Sequence, residues 1–279
     1  MVFKDFKLKI YFWEAVLFAA TQGIGLWTAV QAKNLFKETG IEAPGVSWWV
    51  FLVYFAAATA FLLLFIRFIR RSGAVLKIFF AFSLFFGMQI VAGFVLPGIL
   101  AILAPLGLVI IYFLSPFVWL HNFILIISIA GIGGLLGLNL NPRGVIVILA
   151  ILALYDYWAV YKTKHMVKMA KAFVKESVIP AIILPLDFHG FKKRAKEVKP
   201  GGEFYLLGSG DLIFPLILAS SALSIGLINA VFVSAFSLLG LFIVHLIFVF
   251  QEKRAPMPAL PPIAAMSILG LLVSLFFNK

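Results

Sequence analysis

The stretch "LLGSGDLIFPLIL", residues 206–218, places an acidic residue, Asp211, inside a long apolar run. A carboxylate in an apolar segment is costly unless other groups stabilise it. Asp211 follows Gly210 directly and Gly208 by three residues, and it precedes Pro215 by four residues. The rest of the chain therefore has to supply the partner that makes this carboxylate tolerable.

The composition places the chain in a lipid bilayer. Of its 279 residues, 63% are hydrophobic and only 12% are charged, and the mean hydropathy is +1.11. Water-soluble domains do not reach these values, so the solvent for most of the chain is hydrocarbon. The sequence has no cysteine, which excludes a disulfide framework, a thiol nucleophile and a cysteine-based metal site.

Nine apolar segments have the length that a helix needs to cross about 30 Å of hydrocarbon. The first carries Glu14 and Gln22 and lacks a small-residue cleavage pattern, so we interpret it as a retained helix rather than a signal peptide. We predict an all-α polytopic membrane protein with nine transmembrane helices. The predicted spans are residues 10–31, 47–69, 74–95, 98–114, 117–138, 144–161, 205–224, 229–250 and 257–276.

The basic residues predict how the chain is oriented. The sequence has 23 Lys and Arg against 11 Asp and Glu, a net charge of +12. They lie mostly between apolar segments, where they indicate topology and contact lipid headgroups, so we expect no nucleic-acid partner. With the N-terminus in the cytoplasm, 19 of them fall inside and four outside. Because Lys and Arg are enriched on the cytoplasmic side, we predict a cytoplasmic N-terminus and a C-terminus outside.

The one long hydrophilic stretch divides the chain into three parts. Residues 1–161 carry the first six helices, residues 162–204 form a basic cytoplasmic loop, and residues 205–279 carry the last three helices. The loop opens with apolar residues at helical intervals and lysines between them, which predicts an interfacial amphipathic helix or a continuation of the sixth span. The following segment, "VIPAIILPLDFHG", has two prolines and β-branched residues, which predict extended backbone.

Few ionisable side chains remain inside the predicted spans. We interpret Glu14, His121 and His245 as interfacial or hydrogen-bonded structural residues. The chain has only four histidines and no HExxH motif, so we expect neither a metal nor a cofactor.

Two aspartates lie at similar depths in consecutive spans. Asp156 comes six residues before Lys162, about 9 Å inside the cytoplasmic edge. Asp211 comes eight residues after Glu203, about 12 Å inside the same edge. A single intramembrane aspartate could serve a helix–helix hydrogen bond or a proton relay. Since adjacent spans run antiparallel, both carboxyl groups reach nearly one depth, which favours a shared site.

A shared site explains why both aspartates are tolerated. One aspartate at a helix centre costs about 2.5–3.5 kcal/mol on insertion scales, so two separate ones cost roughly 5–7 kcal/mol. Two carboxyl groups within hydrogen-bond reach can share one proton and then titrate as a unit. Such a pair suits aspartic proteolysis: the ionised member takes a proton from water while the protonated member polarises the scissile carbonyl.

The residues near Asp211 fit such a site. Gly208 and Gly210 allow another backbone to approach closely, although an ordinary helix packing face would use glycine in the same way. Pro215 lacks the N–H that would bond the Asp211 carbonyl. We therefore predict a loosened helix in which that carbonyl is unpaired.

Four clustered prolines open the ninth span and predict non-helical backbone at a shallow membrane depth. Such backbone is tolerated only where it is buried in protein or lines a wet cavity. Pro258 comes four residues after Arg254, which places it near the depth of the two aspartates. The prolines are Pro256, Pro258, Pro261 and Pro262.

Three short motifs together resemble the signature of presenilins and signal peptide peptidases, the GxGD-type intramembrane aspartic proteases. They are "YD" in the sixth span, "GSGD" in the seventh and "PAL" entering the ninth. The nine-span plan and the loop after the sixth span look most like the microbial presenilin-like members, while Pro215 and Pro262 are not part of the signature. The resemblance implies that Asp156 and Asp211 are catalytic. It implies substrate-binding roles for Tyr155, Gly208, Gly210, Pro258, Ala259 and Leu260.

The function that this resemblance implies is cleavage of transmembrane segments or remnant signal peptides in the bilayer, by a multi-pass protein of the cell membrane. An unwound substrate could pair as a strand with Val178–Leu186 or Glu203–Leu207. The sequence also allows a homo-oligomer.

Three alternatives stay open at this point. A prepilin-type peptidase also carries a GxGD aspartate but lacks a PAL element. A proton-coupled transporter could use the aspartates as a relay, although the first five spans hold no counterpart of "GSGD" or "PALP". A catalytically silent membrane chaperone of this fold would not need an intact aspartate pair.

Overall fold

The chain folds into α-helices and one small sheet. The computed structural model describes residues 2–40, 45, 47–57, 73–163, 173–174, 176–198, 203–251 and 256–277. The helices in this part are α1 (Val2–Thr39), α2 (Trp48–Ala57), α3 (Gly73–Val95), α4 (Leu100–Leu114), α5 (Val118–Leu138), α6 (Pro142–Tyr161), α7 (Ser209–Ser221), α8 (Leu227–Phe250) and α9 (Leu260–Phe276). The strands are β1 (Ala181–Pro185) and β2 (Phe204–Gly208).

The described helices follow the predicted spans closely. By length and apolar composition, five of them can cross a membrane, and the other four are shorter apolar helices. Residues 58–69 of the second predicted span and residues 164–172 of the predicted amphipathic helix lie outside the described residues. The chain is thus an integral multi-pass membrane protein, while its orientation and its full number of spans stay predictions. The five helices that are long and apolar enough to cross a membrane are Lys9–Thr39 within α1, then α3, α5, α6 and α8.

The seventh predicted span is wrong at its start. Residues 205–208 belong to β2, and α7 begins only at Ser209. Apolar composition alone cannot separate a buried strand from a helix, and the partner strand β1 lies in the preceding loop. The prediction of an all-α fold is therefore incomplete, because the fold contains this sheet. Its strands are formed largely by the segments 178–186 and 203–207, which the sequence predicts to be extended, and they pair with each other.

Helix α5 lies at the centre of the helical bundle and packs against α1, α3 and α7. Its glycines permit these contacts. A Cβ added at Gly137 would lie 2.5 Å from the carbonyl oxygen of Ile217 and 3.0 Å from the Ile217 Cα. The α7 backbone can therefore approach α5 only because this position has no side chain.

The last three helices form a second packed group. Helices α8 and α9 make the most extensive contact between any two described elements, and α9 also packs against α6 and α7. A buried hydrogen bond from Asn229 Nδ2 to Ser274 Oγ, 2.8 Å long, joins α8 to α9. This group holds the first turn of α9 beside α6 and α7.

The two strands form an antiparallel ladder in which Ile183 lies opposite Leu206. The ladder is extended at both ends, because Leu186 N–H donates to the Glu203 carbonyl and Ser209 N–H donates to the Pro180 carbonyl, each at 3.0 Å. β1 packs on α5 and α1, and β2 runs without a break into α7. The sheet is thereby fixed between the helical core and the start of α7.

Candidate active site

Three helices bring the predicted motifs together. Helix α6 carries Asp156, α7 carries Asp211, and α9 begins with the "PAL" segment. These three helices contact one another pairwise. The motifs, which are up to about a hundred residues apart in sequence, therefore share one region of the fold.

Asp156 points into the protein although its sequence neighbours do not. Its side chain is buried, with 6% exposure, whereas Tyr155 is 54% exposed. The Asp156 Oδ2 accepts a hydrogen bond from the backbone N–H of Leu260 at 3.3 Å. The first aspartate is thus held by the segment that sequence analysis placed beside it.

The start of α9 explains why Leu260 is the donor. Ala259 is the N-cap residue and Leu260 the first residue of the helix, so the Leu260 N–H has no acceptor within the helix. Pro261 and Pro262 follow in the first turn and have no N–H to offer. The Leu260 N–H and the positive end of the helix dipole therefore both stabilise a negative charge at Asp156.

Asp211 lies in the first turn of α7 and is held in a related way. Gly208 is the N-cap residue, and the Asp211 carboxylate turns back toward it, so that a Cβ at Gly208 would lie 3.0 Å from Asp211 Oδ2. The third helical position is the one from which a capping-box side chain reaches back toward the N-cap residue. The carboxylate therefore lies against the end of β2, where it is half-buried.

The two carboxyl groups lie in one region of the fold, because α6 and α7 pack on each other and α9 packs on both. Each aspartate lies at the N-terminus of a helix, Asp156 against α9 and Asp211 in the first turn of α7. Such an arrangement can hold one proton between two carboxyl groups.

The glycines of "GSGD" serve a purpose other than the predicted one. A Cβ added at Gly208 would lie 3.0 Å from the Asp211 Oδ2, so the glycine makes room for the carboxylate and not for another backbone. A Cβ added at Gly210 would be 3.4 Å from the Phe214 ring of the same helix. The prediction that these glycines admit a neighbouring helix is wrong for the described contacts.

The proline-rich segment is non-helical up to Ala259, as the sequence predicts. Pro258 is buried and Ala259 partly buried, whereas Pro261 and Pro262 lie inside the first turn of α9. Proline tolerates that turn because its N–H would have no acceptor there.

Helix α7 continues through Pro215 without interruption. The side chain of Gln22 on α1 donates to the carbonyl of Leu212, which follows Asp211, at 3.1 Å. A partner helix thus bonds the α7 backbone one residue beyond the catalytic candidate, a contact that sequence analysis did not foresee.

The other ionisable residues inside the predicted spans, Glu14, His121 and His245, are hydrogen-bonded, as predicted. His245 Nδ1 on α8 lies 3.2 Å from Glu14 Oε2 on α1. His121 contacts Tyr112 and the β1 backbone. Within the described residues, no group of three or more His, Asp or Glu side chains is arranged to hold a metal ion.

Sequence reasoning missed two groups at this site, the backbone N–H of Leu260 and the side chain of Asn122. The signal for Leu260 was available, since two prolines directly after it leave it as the first backbone donor of the helix. The signal for Asn122 was weaker: a buried amide next to His121, near the start of a span that faces the loop.

Comparison with known proteins identifies the family. The family described as "Signal-peptide peptidase, presenilin aspartyl protease" matches residues 29–279, which include all three motifs. No curated protein sequence matches the chain.

Two solved structures, each described as a presenilin family intramembrane aspartate protease, have the same fold. The first, in space group C222, is 22% identical, with 93% of this chain and 94% of that chain covered and a TM-score of 0.62. The second, in space group P2, is 24% identical, with 94% and 96% covered and a TM-score of 0.66. The chain belongs to the signal-peptide peptidase and presenilin family of intramembrane aspartyl proteases, which are peptide hydrolases.

Proposed function

We propose that this protein cleaves transmembrane segments of membrane proteins, or remnant signal peptides, with Asp156 and Asp211 as its catalytic pair. The observation that carries the proposal is the matched setting of the two carboxyl groups. Each lies at the start of a helix, Asp156 as the acceptor of the Leu260 N–H and Asp211 in the first turn of α7, and the helices that carry them pack together. No other pair of acidic side chains in the described residues combines these features with the family motifs.

The chemistry follows from two carboxyl groups that share one proton. A water molecule between them gives a proton to the ionised carboxylate while its oxygen attacks the carbonyl carbon of the scissile peptide bond. The protonated carboxyl group donates its proton to the carbonyl oxygen, which gives a gem-diol. The C–N bond then breaks as the protonated carboxyl group gives its proton to the amine nitrogen and one hydroxyl of the gem-diol gives its proton to the ionised carboxylate, which releases a carboxylic acid and an amine. The pair ends with one proton, as it began.

A transmembrane substrate must lose its helix locally before this reaction can occur, because a helix holds its carbonyl groups in its own hydrogen bonds. We propose that the unwound stretch pairs with the outer edge of β2. In an antiparallel ladder every second residue directs its backbone N–H and C=O groups away from the partner strand. On β2 these are Phe204, Leu206 and Gly208, since the Glu203 and Ser209 bonds flank the ladder.

The position of β2 makes it the better of the two predicted edges. Its last residue, Gly208, is three residues from Asp211, and the sheet has two strands in the part of the chain that the structure describes. A strand added there would continue into the space between the two carboxyl groups. Specificity would then depend on how easily a substrate unwinds as well as on its side chains.

Family membership separates this proposal from the earlier alternatives. A transporter or a prepilin-type peptidase would not be expected to match the presenilin family over the whole of residues 29–279. We also propose that the protein acts in the cell membrane, and that any homo-oligomer is secondary to a site built within one chain.

The test is cleavage of a transmembrane reporter by the purified protein in liposomes, with product masses determined. We expect cuts inside the reporter span, and loss of cleavage in both Asp156→Asn and Asp211→Asn. Asparagine has nearly the size of aspartate, and at position 156 it keeps an acceptor oxygen for the Leu260 N–H, so the fold should persist. A reporter cut only at its cytoplasmic edge would favour a prepilin-type activity, and proton-coupled solute uptake that needs Asp211 would favour transport.

A further inference from the structure

Two adjacent polar side chains near the start of α5 lie in the core and have no part in the proposed chemistry. His121 and Asn122 are 1% and 2% exposed, which is unusual for polar groups in an apolar bundle. Buried polar groups are expensive unless their hydrogen bonds are complete. Their partners therefore indicate what these residues do.

Asn122 binds both backbone groups of one strand residue. Its Oδ1 accepts the N–H of Ile183 at 2.8 Å, and its Nδ2 donates to the carbonyl of Ile183 at 2.7 Å. This is the pattern with which a neighbouring strand would bind a residue in an antiparallel ladder. A single side chain on α5 thus takes the place of a third strand at β1.

His121 extends the contact by one more carbonyl. Its Nε2 lies 2.9 Å from the Ala181 carbonyl oxygen, and its Nδ1 lies 3.0 Å from the Tyr112 hydroxyl. Because a carbonyl only accepts, Nε2 carries the proton, and Nδ1 accepts from the hydroxyl. Tyr112 is itself buried, so the imidazole is held at both nitrogens.

These contacts fall on the β1 edge that faces away from β2. Pro180 accepts a hydrogen bond from Ser209, and Leu186 donates one to Glu203, so the even-numbered residues of this segment direct their backbone groups toward β2. Ala181 and Ile183 therefore face α5, where His121 and Asn122 bind them. The outer edge of β1 is occupied, so among the described residues β2 provides the edge of the sheet that has no neighbouring strand.

We propose that His121 and Asn122 are positioning residues that fix the register of the β1–β2 sheet, and through it the position at which a substrate is cut. This inference rests on the proposed function. Asn122 can bind Ile183 in one register only: a slip of β1 by one residue turns the backbone groups of Ile183 toward β2, and a slip by two places Ala181 or Pro185 opposite Asn122 instead. Because β2 continues into α7, the register of β1 sets how the open edge of β2 meets Asp211.

The first test reads the register without any need for activity. The chain has no cysteine, so Ile183→Cys with Leu206→Cys reports on one cross-strand pair. This pair does not exchange ladder hydrogen bonds, and such pairs bring Cα atoms to about 4.5 Å, within disulfide range. We expect this pair to form a disulfide efficiently. When Asn122→Leu is added, the yield of that disulfide should fall. The yield for Ala181→Cys with Leu206→Cys, a pair that becomes opposite only after the strands slip, should rise.

The second test reads the consequence for proteolysis. In Asn122→Leu we expect the reporter products to spread to neighbouring cleavage positions, and kcat/KM to fall about tenfold, as for one net hydrogen bond lost. Asn122→Asp keeps the acceptor for the Ile183 N–H, so its product spread and its kcat/KM should lie between those of wild type and Asn122→Leu. Ser128→Ala is the matched control, because Ser128 is buried on α5 but bonds the helix carbonyls of Leu84 and Ile124.

Each outcome decides the inference. Unchanged disulfide yields at both cysteine pairs in Asn122→Leu, together with unchanged product masses, would overturn it. The same would follow if Ser128→Ala spread the products as much as Asn122→Leu. Should Asn122→Leu fail to fold, the readings on Asn122→Asp decide in the same way. Cleavage retained by an Asp156 or Asp211 variant would defeat the proposed function instead, and would leave the disulfide result standing.

Discussion

The backbone N–H of Leu260 donates to the Oδ2 of Asp156 across 3.3 Å, and this bond joins the "PAL" motif to the first aspartate. It explains in physical terms why a proline-rich segment belongs next to an acidic residue of a distant helix. The prolines limit the donors at the start of α9, and the remaining donor faces the carboxylate.

Removing this donor should impair cleavage more than it impairs folding. In Leu260→Pro the N–H is lost at the first helical position, where the helix itself does not use it, and we expect kcat to fall about tenfold to a hundredfold, as for a lost hydrogen bond to a charged group. Leu260→Ala keeps the N–H and loses only packing. Equal losses of kcat in the two folded variants, measured with the transmembrane reporter, would show that the hydrogen bond is unimportant.

Gly208 should be required for its lack of a side chain. An alanine there would bring its Cβ to 3.0 Å from the Asp211 Oδ2, closer than ordinary contact, so the carboxylate has to move. We expect at least a tenfold lower kcat/KM, because small displacements of a catalytic group are costly. Gly23→Ala is the control, since no atom lies within 4 Å of a Cβ at Gly23. Wild-type activity in Gly208→Ala would contradict this account of the motif.

The Glu14–His245 contact should show coupling between α1 and α8. Both side chains are about nine-tenths buried, and their atoms lie 3.2 Å apart. Removing one partner leaves the other unsatisfied in the core, whereas removing both does not. In unfolding measurements we expect Glu14→Leu with His245→Leu to be less destabilised than the sum of the single variants, by about 0.5–3 kcal/mol. Additive effects would mean that the contact has no energetic weight.

The Lys193–Glu203 ion pair at the start of β2 should be insensitive to pH near neutrality. The hydrogen bond to Glu203 raises the pKa of Lys193 above its ordinary 10.5. A raised lysine pKa means that the stabilisation is complete below pH 10.5 and is lost only as the pH rises through the higher folded value.

The measurement for this pair is the thermal unfolding midpoint of Lys193→Met against wild type. Both side chains are well exposed, so the difference should be small, and it should be the same at about pH 6 and about pH 8. A difference that changes across this range would mean that another titrating group acts on the pair.

The sequence was sufficient for the parts of the fold that depend on hydropathy and local chemistry. Apolar length placed α3 and α8 to within two residues, whereas α1 extends eight residues beyond its predicted span at each end. Counting residues to charged positions in antiparallel spans predicted that Asp156 and Asp211 lie at matched depths, which stays a prediction, and the structure places both on helices that pack together. The non-helical entrance to α9 followed from the clustered prolines, because proline restricts the backbone wherever it occurs.

The parts that the sequence could not predict depend on contacts between distant elements. Residues 205–208 read as the start of a span because their strand partner lies more than twenty positions away in the chain. Gly208 was expected to face a neighbouring helix, yet it faces the carboxylate three residues on. Asn122 bonds Ile183 across sixty-one residues, and no local pattern predicts such a bond.

The central claim is that the side chains of Asp156 and Asp211 meet between α6, α7 and the start of α9. Because the chain has no cysteine, Asp156→Cys with Asp211→Cys can be treated with a short bifunctional thiol reagent in native membranes. Mass spectrometry after digestion then shows whether the α6 and α7 peptides are joined. Tyr155→Cys with Asp211→Cys is the control, since Tyr155 is exposed beside Asp156. The account predicts joined peptides for the aspartate positions and far fewer for the control. No link at the aspartate positions, or an equal yield in the control, would contradict it.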